Sequence, residues 1–199
     1  NGFSQNIREL VGAGVLTNSS ASAATLTIQT TAAVQLNNII TGNVAVVKKG
    51  NFQLQINNDF NDFTGGVVLN EGTIRFDNGT RMGNGTITFD RTTANPATLY
   101  TASLTVPNPV STNPYSVGAG GGTRRFEANW THNGPIYGSG SLEFSIAGSF
   151  TPTFTLGGNN SAFAGTAMFN AASSTSASGN TNIAFTSSNS GSANAMWDL

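Results

Sequence analysis

One segment of this chain recurs one hundred residues later. Residues 54–70, LQINNDFNDFTGGVVLN, align without a gap with residues 154–170, FTLGGNNSAFAGTAMFN, and Phe63 falls on Phe163. Internal similarity of this kind is typical of stacked repeats, in which a unit too small to bury its own core packs on its neighbours. The repeat therefore predicts stacked units in which Phe63 and Phe163 occupy the same position and are both buried.

Segments in which every second residue is apolar occur along most of the chain. Such alternation predicts short strands that bury one face. Turn-forming pairs such as Asn84-Gly85 separate these segments, and no stretch has a sustained helical period. The sequence thus predicts an all-β protein with almost no helix, whose short strands fit a sandwich, a barrel or a solenoid. The alternating residues are Leu26, Ile28, Val44, Val46, Phe52, Leu54, Ile56, Ile74, Phe76, Ile87, Phe89, Leu142, Phe144 and Ile146.

The order of strands and turns between residues 39 and 74 resembles the passenger-associated repeat of bacterial autotransporters and related surface proteins. The residues that match are Ile39, Gly42, Val44, Val46, Lys48, Gly50, Phe52, Leu54, Ile56, Asn58, Phe63, Gly65, Gly72 and Ile74. A second copy runs through residues 136–165, and residues 7–28 resemble the first half of another. The resemblance implies one right-handed parallel β-helix over residues 1–199, with eight or nine coils of about 20–25 residues. An antiparallel β-sandwich is the alternative fold.

The composition suits a stack of parallel strands. Asn, Thr, Ser and Gly fill almost half of the chain, and only 9% of the residues are charged. Stacked uncharged side chains can form hydrogen-bonded ladders, whereas stacked like charges repel. A formal net charge of −1 and the lack of any Lys/Arg block predict no nucleic-acid partner. The lack of an apolar run near 18 residues predicts no membrane insertion.

Groups suited to catalysis or metal binding are few. The chain has one histidine, His132, and no cysteine, which excludes thiolate and multi-histidine metal sites. Asp59 and Asp62 are the closest carboxylate pair, and we interpret their asparagine-rich turn as structural, with weak calcium binding as the alternative. We therefore expect no enzyme and no cofactor. A polysaccharide lyase or hydrolase is the remaining enzymatic alternative.

The segment at about 93–135 departs from the alternating pattern. Five of the six prolines lie between residues 93 and 136. Proline cannot donate a hydrogen bond to an interior strand ladder, so we expect an irregular excursion from the rod here. Exposed aromatic rings beside arginine can bind carbohydrate, as in an adhesin, although the same rings could instead cover the core. The candidate ligand residues are Tyr100, Tyr115, Arg124, Trp130 and Tyr137.

Apolar residues lie near both ends of the chain, and no polar cap accompanies them. An uncovered solenoid end exposes unpaired strand edges. We therefore expect the ends to join head to tail into a homopolymer. Together with the resemblance, this predicts an extracellular or cell-surface structural protein, either a filament subunit or a stalk segment; a carbohydrate-binding adhesin module that binds surface glycans is the alternative. The residues predicted to join the ends are Phe3, Ile7, Leu10, Met196, Trp197 and Leu199.

Overall fold

The computed structural model describes most of the chain. The described residues are 2–77, 79–91, 95–100, 110–119, 124–127, 130–145, 153–170, 182–186 and 196–198. Within them the chain forms short strands and one 3₁₀ turn at Gly79–Met82.

The first ten strands cover residues 5–89, and the remaining eleven extend to residue 198. The first ten are β1 (Gln5–Ile7), β2 (Val15–Asn18), β3 (Ala24–Gln29), β4 (Val34–Leu36), β5 (Ile39–Gly42), β6 (Val44–Lys49), β7 (Gln53–Ile56), β8 (Val67–Leu69), β9 (Gly72–Phe76) and β10 (Ile87–Phe89). The others are β11 (Ala97–Tyr100), β12 (Val110–Ser111), β13 (Tyr115–Val117), β14 (Arg124–Glu127), β15 (Trp130–His132), β16 (Ile136–Gly138), β17 (Leu142–Ser145), β18 (Thr153–Leu156), β19 (Thr166–Asn170), β20 (Asn182–Phe185) and β21 (Met196–Asp198).

The strands stack along the sides of a rod. The first sheet has seven strands in the order β1-β3-β6-β8-β10-β13-β16, and the second has eight in the order β4-β7-β9-β11-β14-β17-β19-β21. A third side carries the pair β2-β5 and the four strands β12-β15-β18-β20. Every pairing between described strands is parallel, for example Val46 with Val67 and Leu54 with Ile74. The fold is a β-solenoid, as predicted, and the parallel pairing excludes the sandwich.

The core consists of inward columns that run along the rod. On the second sheet one column is continuous through seven strands, because each member is the register partner of the next. It changes from aliphatic to aromatic along the rod, and the Phe144 and Phe169 rings at its far end stack with centroids 4.9 Å apart. Stacked parallel strands thus bury side chains of the same type, aliphatic or aromatic, against each other. The members are Val34, Leu54, Ile74, Leu99, Phe126, Phe144 and Phe169.

The predicted alternation matches the described strands with one exception. Phe52 is 50% exposed, because it lies in the turn before β7 rather than in the strand. Ile146 lies outside the described residues. The other alternating residues face the core.

The coils are not uniform in length. Register partners Leu54 and Ile74 lie 20 residues apart, whereas Ala97 and Arg124 lie 27 residues apart. Within the described residues the strands stack in about six turns, fewer than the eight or nine expected.

The unequal coil lengths also place the two aligned sequence copies at different positions around the coil. In the first copy β7 belongs to the second sheet, but the aligned strand β18 belongs to the third side. Phe63 and Phe163 are both buried, as predicted. They nevertheless lie on different sides of the coil, since the Phe63 carbonyl accepts a hydrogen bond from Asn84 whereas Phe163 bridges Gly138 at the end of the first sheet. The alignment in sequence is therefore not an alignment in the structure.

The described part of residues 93–135 continues the rod. Strands β11, β13 and β14 pair in register with their neighbours. Pro96, Pro114 and Pro135 each precede a strand directly, and their carbonyls accept 2.8 Å hydrogen bonds from Gly72, Ile87 and Tyr115 respectively. Proline is tolerated at a strand entrance, where its carbonyl still completes the ladder. Any excursion must lie outside the described residues, which omit 101–109 and 120–123.

Candidate ligand-binding surface

Two of the five predicted ligand residues are buried. Tyr115 is fully buried in the first sheet, where its ring contacts Phe126 edge to face at 5.2 Å. Arg124 is 1% exposed, and burial and the nearby Arg91 lower its pKa, whereas Asp90 raises it. Neither side chain can contact a ligand at the surface. The prediction that these two residues bind carbohydrate therefore does not hold.

The other three lie on different sides of the rod. Tyr100 is on the outer face of the second sheet, and Tyr137 is on the outer face of the first. Trp130 belongs to β15 on the third side, and its side chain lies outside the described part. The five residues therefore do not converge on one site.

His132 is part of the core. Its ring packs edge to face against Tyr115, with centroids 4.2 Å apart. Burial lowers the pKa of His132 to about 3, and the backbone at Gly134 and Pro135 opposes the shift. The side chain is therefore neutral at ordinary pH and has no access to solvent.

A buried lysine ties the corner between the first and second sheets. Lys48 has no exposed surface, and its Nζ donates to the carbonyls of Lys49, Gly50 and Glu71 at 2.9, 2.5 and 3.1 Å. The Glu71 carboxylate accepts a hydrogen bond from the Gly50 N–H at 2.9 Å. Burial lowers the pKa of Lys48 to about 8, opposed by the charge of Glu71. These contacts give Lys48 a structural role.

The asparagine-rich turn is tied to the neighbouring coils. The Asn61 side chain accepts a hydrogen bond from the Ile40 N–H and donates to the Arg81 carbonyl, at 2.8 and 2.9 Å. Asp59 forms an ion pair with Arg81. No group of three or more His, Cys, Asp or Glu side chains among the described residues could hold a metal ion. These bonds support the structural interpretation of the turn.

Sequence reasoning missed a cluster on the outer face of the second sheet, which we call the charged patch: Arg75, Tyr100, Arg125, Glu127 and Glu143. Register places Tyr100 between Arg75 and Glu127 on successive coils, and it places Arg125 directly beside Glu143. The patch comes from strands β9, β11, β14 and β17, which are far apart in sequence. Only the register brings the five residues together, so no local motif could have indicated them.

Contacts within the charged patch pair its charges. The Arg125 guanidinium donates to both oxygens of Glu143 at 3.1 to 3.3 Å. Arg75 forms an ion pair with Asp77 at 3.3 Å, and its guanidinium carbon lies 5.9 Å from the centre of the Tyr100 ring. Charge-assisted, two-pronged contacts of this type fix the orientation of an arginine.

The charged patch is partly open to solvent. Glu143 is buried, whereas Arg75, Tyr100, Arg125 and Glu127 keep intermediate exposure. Burial raises the pKa of Glu127; Arg125 lowers it and Glu143 raises it. The accessible surface thus combines an aromatic ring, two guanidinium groups and a carboxyl group.

The first coil, which contains β1 and β2, exposes apolar side chains. Phe3, Val11 and Val15 are 77%, 79% and 64% exposed, while Ile7 and Leu10 are partly buried against the core. A cavity of about 170 Å³ lies beside Phe3 and Leu16. At the other end, β21 is the last strand of the second sheet, whereas Leu199 and the side chains of Met196 and Trp197 lie outside the described part.

Comparison of the chain with protein-family models, with curated proteins and with solved structures gives no match. Within the described residues, no helix has the length and hydropathy needed to cross a membrane. The function of this chain is therefore inferred from the geometry of the rod and from its surfaces.

Proposed function

We propose that this chain is an extracellular or cell-surface structural β-solenoid that joins end to end through its first coil to form a filament. The observation that supports this most directly is the exposure of Phe3, Val11 and Val15 on that coil. Three of the six large hydrophobic side chains that are exposed among the described residues lie on this coil, and a concentration of exposed apolar surface is typical of a protein interaction site. The resemblance to autotransporter repeats is what supports the extracellular location in this proposal.

The backbone at the ends of the rod supports the same proposal. Within the described part, β1, β2 and β4 are each the first strand of their sheet and pair on one side only. Arg8 and Glu9 are the only charged residues among the first eighteen, so few charges protect these edges. Exposed strand edges favour pairing with another chain.

In the filament, the last coil of a second copy covers the first coil. The second sheet runs from β4 at one end to β21 at the other, and all its pairings are parallel. The segment between β1 and β2 lies one coil before β4, because β1 pairs with β3 and β2 pairs with β5. A second copy added in the same direction would place its β21 beside this segment and cover both ends of the rod. Because such a contact joins two different surfaces and does not close, it produces a filament.

The test compares two phenylalanines with the same exposure. Phe3 lies on the first coil and Phe60 lies in a turn along the side of the rod, and both are 77% exposed. We expect wild-type protein to form larger species with rising concentration in sedimentation velocity, and fibres in negative-stain microscopy. Phe3→Asp should abolish both, whereas Phe60→Asp should change neither.

Two results would contradict the filament. Wild-type protein that stays monomeric at high concentration would favour a stalk segment, in which the first coil is covered by other parts of a longer chain. Equal loss of assembly in Phe3→Asp and Phe60→Asp would indicate general apolar association rather than end-to-end joining.

A further inference from the structure

One outward column of the second sheet carries charged side chains, whereas the matching column of the first sheet carries none. An outward column of the first sheet reads Thr27, Val47, Val68, Thr88, Ser116 and Tyr137 along successive coils and contains no charge. The corresponding column of the second sheet begins with Gln35 and Gln55 and then passes through Arg75, Tyr100 and Glu127. In a chain with only 9% charged residues, the charged patch is a local departure from the surface pattern.

Each arginine of this patch is paired with a carboxylate. Arg125 is paired with Glu143, and Arg75 is paired with Asp77. An anionic ligand would have to displace one of these carboxylates from its arginine. A neutral ligand would not, and it would leave both ion pairs intact.

Donors and acceptors lie side by side in the patch. Arginine has five N–H donors, and a carboxylate has several lone pairs, so an ion pair retains groups that can bond to a ligand. The Arg125 and Arg75 side chains keep 29% and 30% of their surface exposed. A hydroxyl group both donates and accepts, and neighbouring hydroxyls therefore match such a surface. The Tyr100 ring adds an apolar platform with a polar tip.

The backbone holds these groups on a rigid platform. Tyr100 has strand partners on both sides, Arg75 in one coil and Glu127 in the next, so all three side chains stand on consecutive strands about 4.8 Å apart. A surface already ordered before binding loses little conformational entropy when a ligand binds.

We propose that the charged patch binds a neutral saccharide. Tyr100 contacts the face or edge of a sugar ring, and Arg75, Arg125 and Glu127 form hydrogen bonds with its hydroxyl groups. This function is separate from end-to-end joining, because the patch lies on the side of the rod. Of the residues that the sequence suggested for a glycan, only Tyr100 belongs to this site.

The experiment begins with a printed array of neutral and acidic oligosaccharides, probed with the full chain. The best neutral oligosaccharide is then titrated calorimetrically against the wild type and three variants. Tyr100→Ala should weaken binding at least tenfold, and Tyr100→Phe should retain most of it because the ring remains. Tyr137→Ala, which removes a half-buried tyrosine from the outer face of the first sheet, should bind like the wild type. Melting temperatures of all variants show whether each one is folded.

Three outcomes would overturn the proposal. The first is an array on which the wild type binds no neutral saccharide. The second is tighter binding to acidic oligosaccharides than to neutral ones of equal length, because an anionic ligand would then have displaced a carboxylate from Arg75 or Arg125. The third is equal weakening by Tyr100→Ala and Tyr137→Ala in folded protein, because the ligand would then not be located on the charged patch.

Discussion

At the scale of single residues, the direction of a side chain on its strand decides its role. Tyr115 and Tyr100 are the same residue type and lie fifteen positions apart. Tyr115 is directed inward and is fully buried, whereas Tyr100 is directed outward beside Arg75. The environment of each side chain is then set by its register partners in the adjacent coils.

Removing an inward ring should destabilise the rod. We expect Phe63→Ala and Phe163→Ala each to lower the free energy of unfolding by about 3–5 kcal/mol, because each leaves a cavity in a close-packed core. Phe60→Ala is the control, since Phe60 is exposed. Urea denaturation measures all three variants. A neutral effect at Phe63 or Phe163 would mean that the ring is not packed as described.

The stability of the protein should rise with pH in the range where Lys48 loses its proton. Burial lowers the pKa of Lys48 from 10.5 to about 8 in the folded state. Between these two values the unfolded chain binds a proton that the folded chain has released, so raising the pH favours folding. The increase in the free energy of unfolding should be complete above pH 10.5 and should be lost as the pH falls through 8.

Two methionine variants isolate this effect. Lys48→Met removes the buried ammonium, and Lys49→Met removes its exposed neighbour. The free energy of unfolding, measured by denaturant titration from pH 7 to 11, should lose its alkaline rise only in Lys48→Met. The same rise in Lys48→Met and in the wild type would contradict the assignment.

At the scale of strands and turns, close stacking restricts what a turn can contain. Gly138 ends β16 with a φ of +107°, and a Cβ atom there would lie 2.2 Å from the Val117 carbonyl oxygen of the coil below. Gly12 has nearly the same φ, +106°, but has open space around it. The two positions therefore separate backbone strain from steric contact between coils.

Replacing each of these two glycines with alanine should lower the free energy of unfolding by different amounts. Gly12→Ala should cost about 1–2 kcal/mol, the strain of a side chain at positive φ. Gly138→Ala should cost clearly more, because the new methyl group must also push two coils apart. Thermal or urea unfolding of both variants measures the difference. Equal losses in the free energy of unfolding would show that the coils separate at this turn at no additional energetic cost.

At the scale of the whole molecule, low charge should make assembly insensitive to salt. The first coil presents Phe3, Val11 and Val15, and the apolar contact proposed for it does not depend on ion pairs. We expect the sedimentation profile to show no loss of assembly when NaCl is raised from about 0.05 M to about 0.5 M, over which screening becomes much stronger. Dissociation of the larger species at high salt would instead indicate joining by charged groups.

Much of the local structure could be predicted from the sequence. Alternation at Leu26 and Ile28 or at Ile74 and Phe76 identifies strands correctly, because side-chain direction alternates along any strand. The same rule failed at Phe52, where a turn interrupts the strand. The ligand residues were harder to predict, because a tyrosine or an arginine suits either face of a sheet until its register is known.

The sequence by itself determined that the chain forms short strands with one buried face, because side-chain direction alternates along any strand. That these strands stack in parallel was implied only by the family resemblance, and the structure decided it. Only the tertiary structure decided which strands stack on which. The register of distant strands depends on the summed lengths of all the coils between them, and the longer coils after residue 72 shift the two sequence copies onto different sides of the rod. For the same reason the charged patch exists only in the folded chain, where stacking places Arg75, Tyr100 and Glu127 on successive coils.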